Sequence, residues 1–229
     1  MSLVDIKNVS LGYENDVVIN NISFDINRRD FILVIGSNGV GKSTLIKGIL
    51  GIIKPLSGKV DYREIDRKFI GYMPQDLKID QNFPATVFEI VLSGRINQMG
   101  RRPFYNKEDK EKAIRNLQIL GIEDLKDRSF NELSGGQRQK VLLARCLCAT
   151  SSLIVLDEPS NNLDQESKVE FYSTLIHLNE GHGISILMIT HDVDRDRDSL
   201  IGNKVLELKK NGYFFGTTED YLKENGYDS

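Results

Sequence analysis

Alternating hydrophobic and polar positions predict β-strands at the start of the chain. Residues 3–11 and 17–26 alternate in the way that half-buried strands do, and residues 31–35 form a short apolar run. Turn-forming residues separate these segments at Gly12, at Asn15-Asp16 and across residues 27–30. We therefore predict a small antiparallel layer that leads into a buried strand.

A helical period of apolar residues replaces this alternation further along the chain. It begins near Ser43 and stops before Gly51, and short strands follow as a predicted pair near residues 59–60 and 69–72. Residues 84–149 have many apolar positions at helical spacing and therefore predict several helices. Apolar runs separated by helical patterns then predict parallel strands buried on both faces, at residues 153–156, 184–189 and 205–208.

These elements predict an α/β fold with a mainly parallel core sheet, an N-terminal antiparallel β layer and an inserted helical lobe. We expect one domain over residues 1–229, with its core in residues 1–83 and 150–229 and its helical lobe in residues 84–149. A chain of 229 residues with 40% hydrophobic and 28% charged residues has the size and composition of such a globular domain.

Charge and hydropathy argue against two classes of function. The chain has 30 Lys and Arg against 33 Asp and Glu, and a net charge of −3 provides no basic field for binding nucleic acid. We therefore expect no nucleic-acid partner. The apolar runs are far shorter than the roughly 20 residues that span a bilayer, and the first residues lack the layout of a signal peptide. We expect a cytoplasmic chain that does not itself cross a membrane.

The loop after the strand at residues 31–35 has the pattern G-x-x-x-x-G-K-[ST] of a phosphate-binding loop. A buried strand before it and a helix after it are the context that this pattern requires. Its backbone N–H groups face phosphate oxygens, Lys42 reaches the β- and γ-phosphates, and the Ser43 hydroxyl binds Mg²⁺. We therefore predict a nucleoside triphosphate site with Mg²⁺. Its residues are Gly36, Ser37, Asn38, Gly39, Val40, Gly41, Lys42, Ser43 and Thr44.

Two adjacent acids, Asp157 and Glu158, end the predicted strand at residues 153–156. The carboxyl edge of a parallel sheet is where open α/β folds bind their ligands. We predict that Asp157 holds the magnesium ion and that Glu158 orients or deprotonates the water that attacks the γ-phosphate. Whether Glu158 is a base or only positions the water stays open.

A second anion site is predicted where Leu133-Ser134-Gly135-Gly136-Gln137 precedes a helix that we expect to begin near Arg138. Ser134 can cap this helix, and the two glycines leave backbone N–H groups bare at its positive end. The phosphate loop lies upstream of this pentapeptide, and the acid pair lies downstream of it. In this order, the pentapeptide resembles the signature of the ATP-binding subunits of ABC transporters. The resemblance covers essentially the whole chain.

The resemblance implies further site residues. Gln75 matches the glutamine that reaches the magnesium ion, and His191 matches the histidine that contacts the γ-phosphate, so the implied catalytic set is Lys42, Gln75, Glu158 and His191. Tyr13 matches the aromatic residue that stacks on adenine, although it could equally pack within a hairpin. Residues 160–164 match the family's D-loop, but the family more often has Thr-x-Gly at its first three positions.

The resemblance also implies the working assembly. Two copies pack head to tail, so that Ser134, Gly136 and Gln137 of one copy cover the ATP held by the phosphate loop of the other. The ATPase then energises a membrane permease, to which it binds at the cytoplasmic face of the cell membrane.

The transported substrate is indicated only by a weaker resemblance. Residues 82–95 resemble the corresponding segment of bacterial importers of zinc, manganese or iron chelates, and Phe83 is the best candidate there for contact with a permease. Two alternatives remain open at this point: the ATPase of another class of ABC transporter, exporters included, and a soluble ABC-type ATPase that remodels a protein or a cofactor-assembly complex.

Overall fold

The computed structural model describes residues 1–14, 16–75, 84–161, 163–190 and 200–226. His191 and Phe83, which were singled out from the sequence, lie outside these residues. The described chain forms two β-sheets with helices between and around them, so the predicted fold class is confirmed.

The smaller sheet is antiparallel and contains three strands, in the order β2-β1-β4. Their bounds are Ser2–Tyr13 for β1, Asp16–Asn27 for β2 and Ser57–Tyr62 for β4. Strands β1 and β2 lie where the sequence predicts them. Burial alternates in β2 from Ile22 through Phe24 to Ile26, whereas β1 buries Leu3 and Val4 together and all of residues 9–12. Gly12, expected in a turn, instead pairs with Val17 inside the hairpin.

The larger sheet has six strands in the order β5-β6-β7-β3-β8-β9. Its first five strands are parallel, and β9 runs antiparallel to β8 at the edge. Their bounds are Phe31–Gly36 for β3, Gly71–Met73 for β5, Leu153–Asp157 for β6, Ser185–Ile189 for β7, Lys204–Lys209 for β8 and Gly212–Thr217 for β9. The mainly parallel core sheet is thus confirmed.

The strand pair predicted between residues 59 and 72 is wrong. Both strands exist, but β4 pairs with β1 in the small sheet, whereas β5 pairs with β6 in the large one. Both are edge strands of their sheets, but β4 is exposed or half-buried along its length, whereas Gly71 and Met73 of β5 are buried.

Six α-helices complete the described chain, and three of them lie within residues 84–149, as expected. The helices are α1 Lys42–Ile49, α2 Val87–Ser93, α3 Lys107–Ile119, α4 Gly135–Ala149, α5 Gln165–His182 and α6 Thr218–Glu224. Single 3₁₀ turns occupy Arg67–Phe69, Ile96–Gln98, Glu123–Leu125 and Phe130–Glu132. Among the described residues, no helix combines the length and the apolar character needed to cross a bilayer.

The large sheet is buried between two hydrophobic clusters. Alternate residues of β3 enter different clusters: Leu33 packs with the helices α2 to α5, whereas Ile32 and Val34 pack with α1 and the small sheet. Because successive side chains of a strand point to opposite faces, a continuous apolar run can fill both clusters. This double burial fixes the strands whose carboxyl ends form the candidate site.

A buried ion network holds the helices of residues 84–149 together. The carboxylate of Asp109, on α3, accepts hydrogen bonds from Arg95 Nε at 2.9 Å and from Arg102 Nη1 at 3.0 Å. Its side chain is 1% exposed, and that of Arg95 is 8% exposed. Arg95 also donates to the carbonyl oxygen of Cys148 near the end of α4.

Asp109→Ala should lower the free energy of unfolding by about 3–5 kcal/mol, because it leaves the buried Arg95 guanidinium without its counter-charge. Urea denaturation followed by circular dichroism measures this change. The matched control on the same helix is Glu111→Ala, which breaks an exposed pair with Lys107 and should cost less than about 1 kcal/mol. If both variants lowered the free energy of unfolding equally, the buried network would not stabilise the fold more than an exposed ion pair does.

Candidate functional site

The loop between β3 and α1 has the backbone of a phosphate cradle. Three of its glycines have positive φ: 140° at Gly36, 78° at Gly39 and 113° at Gly41. A Cβ atom at position 36 would lie 2.5 Å from the carbonyl oxygen of Leu208, so the loop can pass β8 only with glycine there. Asn38, Gly39 and Ser43 are exposed, and the loop therefore presents its outer side to a ligand.

Lys42 directs its charge into this loop. Its Nζ atom donates to the carbonyl oxygens of Gly36 at 2.8 Å and Ser37 at 3.1 Å, while the residue as a whole is buried. Burial lowers the pKa of Lys42, and the negative charges of Glu158 and Asp157 oppose that shift. The ammonium group thus lies near both acids, at the place where phosphates would enter.

The acid pair ends β6, as the sequence predicts. Asp157 is the last residue of the strand and is buried, and Glu158 follows it with a left-handed backbone, φ 50°. The backbone N–H of Glu158 donates to the carbonyl oxygen of Ile189 at 3.1 Å, which ties this bend to the end of β7. Because β7 lies between β6 and β3, the acids and the loop share one edge of the sheet.

Gln75 follows β5 and joins the acid pair. Its Nε2 atom donates to Glu158 Oε2 at 2.7 Å. The structure therefore brings together Lys42, Gln75, Asp157 and Glu158, which are far apart in the sequence. His191, the remaining residue of the implied catalytic set, lies outside the described residues.

Tyr13 lies at the end of β1 with 46% of its surface exposed. Its hydroxyl accepts a hydrogen bond from Lys47 Nζ at 3.3 Å, and that bond, with a second from Thr44, lowers the pKa of the phenol. Both partners belong to α1, the helix that follows the phosphate loop. The ring therefore stands beside the cradle, and the role of Lys47 in holding it was not found from the sequence.

The pentapeptide at residues 133–137 forms the start of α4. The helix begins at Gly135, three residues before the predicted start at Arg138, because Ser134 caps it. Ser134 Oγ accepts from the N–H of Gln137 at 3.3 Å, and Gln137 Oε1 accepts from the N–H of Ser134 at 3.1 Å. This reciprocal pair places both glycines in the first helical turn.

A cavity of about 330 Å³ lies beside this helix start. Ser134, Gly136, Gln137, Lys140 and residues of α5 and the segment 121–125 line it, and none of these residues belongs to the phosphate loop. Within the described chain, the pentapeptide and the phosphate loop are thus two separate sites.

Comparison with known proteins decides the family. A sequence model of the ABC transporter family matches residues 19–161, more than half of the chain. The chain belongs to the ABC transporter family. The match includes the phosphate loop, Gln75, the pentapeptide and the acid pair, so the resemblance seen in the sequence is confirmed. The chain is accordingly an ABC ATPase, and it binds nucleotide.

Full-length relatives are named as the ATP-binding proteins of transport systems. The high-affinity zinc uptake system ATP-binding protein ZnuC of Bacillus subtilis is 36% identical over 215 residues, which cover 92% of each chain. The manganese transport system ATP-binding protein MntB of the same species is 36% identical over 222 residues, covering 95% of this chain and 87% of its own length.

Solved structures confirm the P-loop fold. A transporter described as of the metal-chelate ABC type, in an inward-facing conformation, matches with a TM-score of 0.86 and 33% identity over 97% of this chain and 86% of its own. The ATP-binding cassette MJ0796, in a dimeric post-hydrolysis state bound to ADP and Pi, matches with a TM-score of 0.73 and 25% identity over 93% of this chain and 98% of its own.

Lys42→Ala should weaken ATP binding by at least about 10-fold and abolish hydrolysis, because the phosphates lose the charged hydrogen bonds of the cradle. Isothermal titration calorimetry with ATP measures the first effect. The exposed Lys110 supplies a matched control, since Lys110→Ala removes the same charge on α3, within residues 84–149, and should leave the affinity unchanged. Unchanged affinity in the Lys42 variant would contradict the cradle.

Proposed function

We propose that the chain is the ATP-hydrolysing subunit that energises a membrane permease for uptake of a metal ion, zinc or manganese, or of a metal chelate. ATP hydrolysis is supported by one observation above all. Four side chains converge at one edge of the sheet, those of Lys42, Gln75, Asp157 and Glu158. The names of the full-length relatives support metal as the transported substrate.

The residues present fit a magnesium ion bound to ATP. The Ser43 hydroxyl, the Asp157 carboxylate and the Gln75 amide offer the oxygen atoms that Mg²⁺ prefers, and Ser43 and Gln75 are exposed to a ligand. When bound, the ion would neutralise charge on the β- and γ-phosphates. The backbone N–H groups of the cradle and Lys42 would hold the phosphates, and Tyr13 would stack on adenine.

Hydrolysis requires a water molecule aligned with the γ-phosphate. We propose that Glu158 accepts a hydrogen bond from that water. The backbone bond from Glu158 to β7 and the hydrogen bond that its side chain accepts from Gln75 support this role. We propose that Lys42, Gln75 and His191 act with it as the catalytic set, His191 by contacting the γ-phosphate as the family resemblance implies.

A second copy of the chain completes each site. Ser134, Gly136 and Gln137 form a helix start that is separate from the phosphate loop, and such a start favours an anion. We propose a head-to-tail dimer in which these residues of one copy contact the ATP held by the other. The dimeric cassette among the similar structures supports this arrangement. ATP would then favour the closed dimer, since it binds that state better.

The domain division follows from these roles. We propose a single ABC ATPase domain with a nucleotide-binding core in residues 1–83 and 150–229 and a helical lobe in residues 84–149 that carries the pentapeptide. A permease partner would hold the chain at the cytoplasmic face of the cell membrane.

Glu158→Gln should bind Mg-ATP but hydrolyse it at least about 100-fold more slowly, because the water loses its base or orienting group. The uncleaved ATP should then hold two copies together. We expect a dimer with ATP and a monomer with ADP in size-exclusion chromatography. Adding Ser134→Arg to this variant should abolish the dimer, since the new side chain blocks the helix start. A monomer with ATP in the Glu158→Gln chain would contradict the head-to-tail model.

The transport role is tested in cells from which the chain has been deleted. Uptake of labelled zinc or manganese should fall, and the wild-type chain should restore it whereas Glu158→Gln should not. An integral-membrane permease should co-purify with both chains from detergent extracts. Uptake of an unrelated amino acid is the control. Normal metal uptake after deletion, or a chain that co-purifies only with soluble proteins, would contradict the proposed function.

A further inference from the structure

Two side-chain amides converge on one oxygen of the Glu158 carboxylate. Gln75 Nε2 donates to Glu158 Oε2 at 2.7 Å, and Asn161 Nδ2 donates to the same atom. Gln75 comes from the loop after β5, whereas Asn161 lies three residues after Glu158 on the way to α5. The family resemblance gives Gln75 a role at the magnesium ion, whereas Asn161 has no role in the site described so far.

The turn that carries Asn161 is fixed to the body of the fold. The N–H of Asn161 donates to the carbonyl oxygen of Glu158 at 3.4 Å, which closes the turn. The neighbouring Ser160 is 2% exposed, and its hydroxyl lies 2.8 Å from the hydroxyl of Tyr172 on α5. The Asn161 amide is therefore held at a defined place relative to the glutamate.

The two amides differ in what moves them. Gln75 belongs to the loop after β5 and has a proposed second contact with magnesium, so its distance from Glu158 depends on the ligand. Asn161 shares one hydrogen-bonded turn with Glu158, so its amide follows the carboxylate whenever that turn moves. A carboxylate that acts on a water molecule must keep its orientation, because small misplacements reduce the rate strongly.

We propose that Asn161 is a positioning residue for Glu158, whose amide holds carboxylate oxygen Oε2 so that the carboxylate keeps its orientation toward the attacking water. This inference rests on the proposed function of Glu158. It assigns Asn161 no contact with the nucleotide, and a loss of its amide should therefore change the turnover number and not the affinity for ATP.

Steady-state ATPase assays and calorimetry on the full chain test this role. Asn161→Ala should lower kcat by roughly 10-fold while KM and the Kd for ATP change less than about two-fold. Asn161→Asp should lower kcat further, because a second carboxylate of the same size repels Glu158. Asn161→Gln retains the amide and should recover most of the loss. The control is Asn225→Ala, at an exposed asparagine that follows α6, and it should behave as wild type.

A second measurement separates positioning from other roles. In the Glu158→Gln background, residual single-turnover hydrolysis of labelled ATP should not fall further when Asn161→Ala is added, since the group that Asn161 positions is already gone. An equal fall in both backgrounds, or a raised KM with unchanged kcat, would overturn the inference. Full ATPase activity of Asn161→Ala would also overturn the inference, provided that the wild-type chain hydrolyses ATP. A wild-type chain without ATPase activity would overturn the proposed function itself.

Discussion

The charge of Lys42 is the constraint on which the rest of the site depends. Moving a charge out of water is costly unless other groups solvate it, and here the loop carbonyls of Gly36 and Ser37 do so. The same loop has positive φ at Gly36, Gly39 and Gly41, and Gly36 can pass β8 only without a side chain. The negative charges of Glu158 and Asp157 also stabilise the charged form of Lys42. The cradle, the lysine and the acids therefore form one electrostatic unit.

The sheet supplies the geometry that this unit needs. Five parallel strands direct their carboxyl ends to one edge, and residues after β3, β5 and β6 meet there although they are far apart along the chain. Burial of the sheet on both faces keeps these ends at fixed separations, because packed side chains tolerate little displacement. A hydrogen bond such as the one between Gln75 and Glu158 can therefore form across two loops.

The helices of residues 84–149 hold the proposed second anion site apart from the phosphate loop. Asp109 binds Arg95, which also reaches the last turn of α4, while Ser134 caps the other end of that helix. The helix is thus fixed at both ends, and its start can present N–H groups to an anion without contact with the phosphate loop of its own chain. This separation favours completion of the site by a second copy.

By itself the sequence determined the parallel strands, the helices of residues 84–149, the phosphate loop and the family, because these depend on local periodicity and on motifs of adjacent residues. Tertiary structure decided what depends on distant partners. It assigned β4 and β5 to different sheets, started α4 at Gly135, placed Lys47 against Tyr13 and brought Asn161 to the oxygen that Gln75 also holds. Hydrogen bonds between distant segments form only after the sheet has set the distances between them, and no local pattern records those distances.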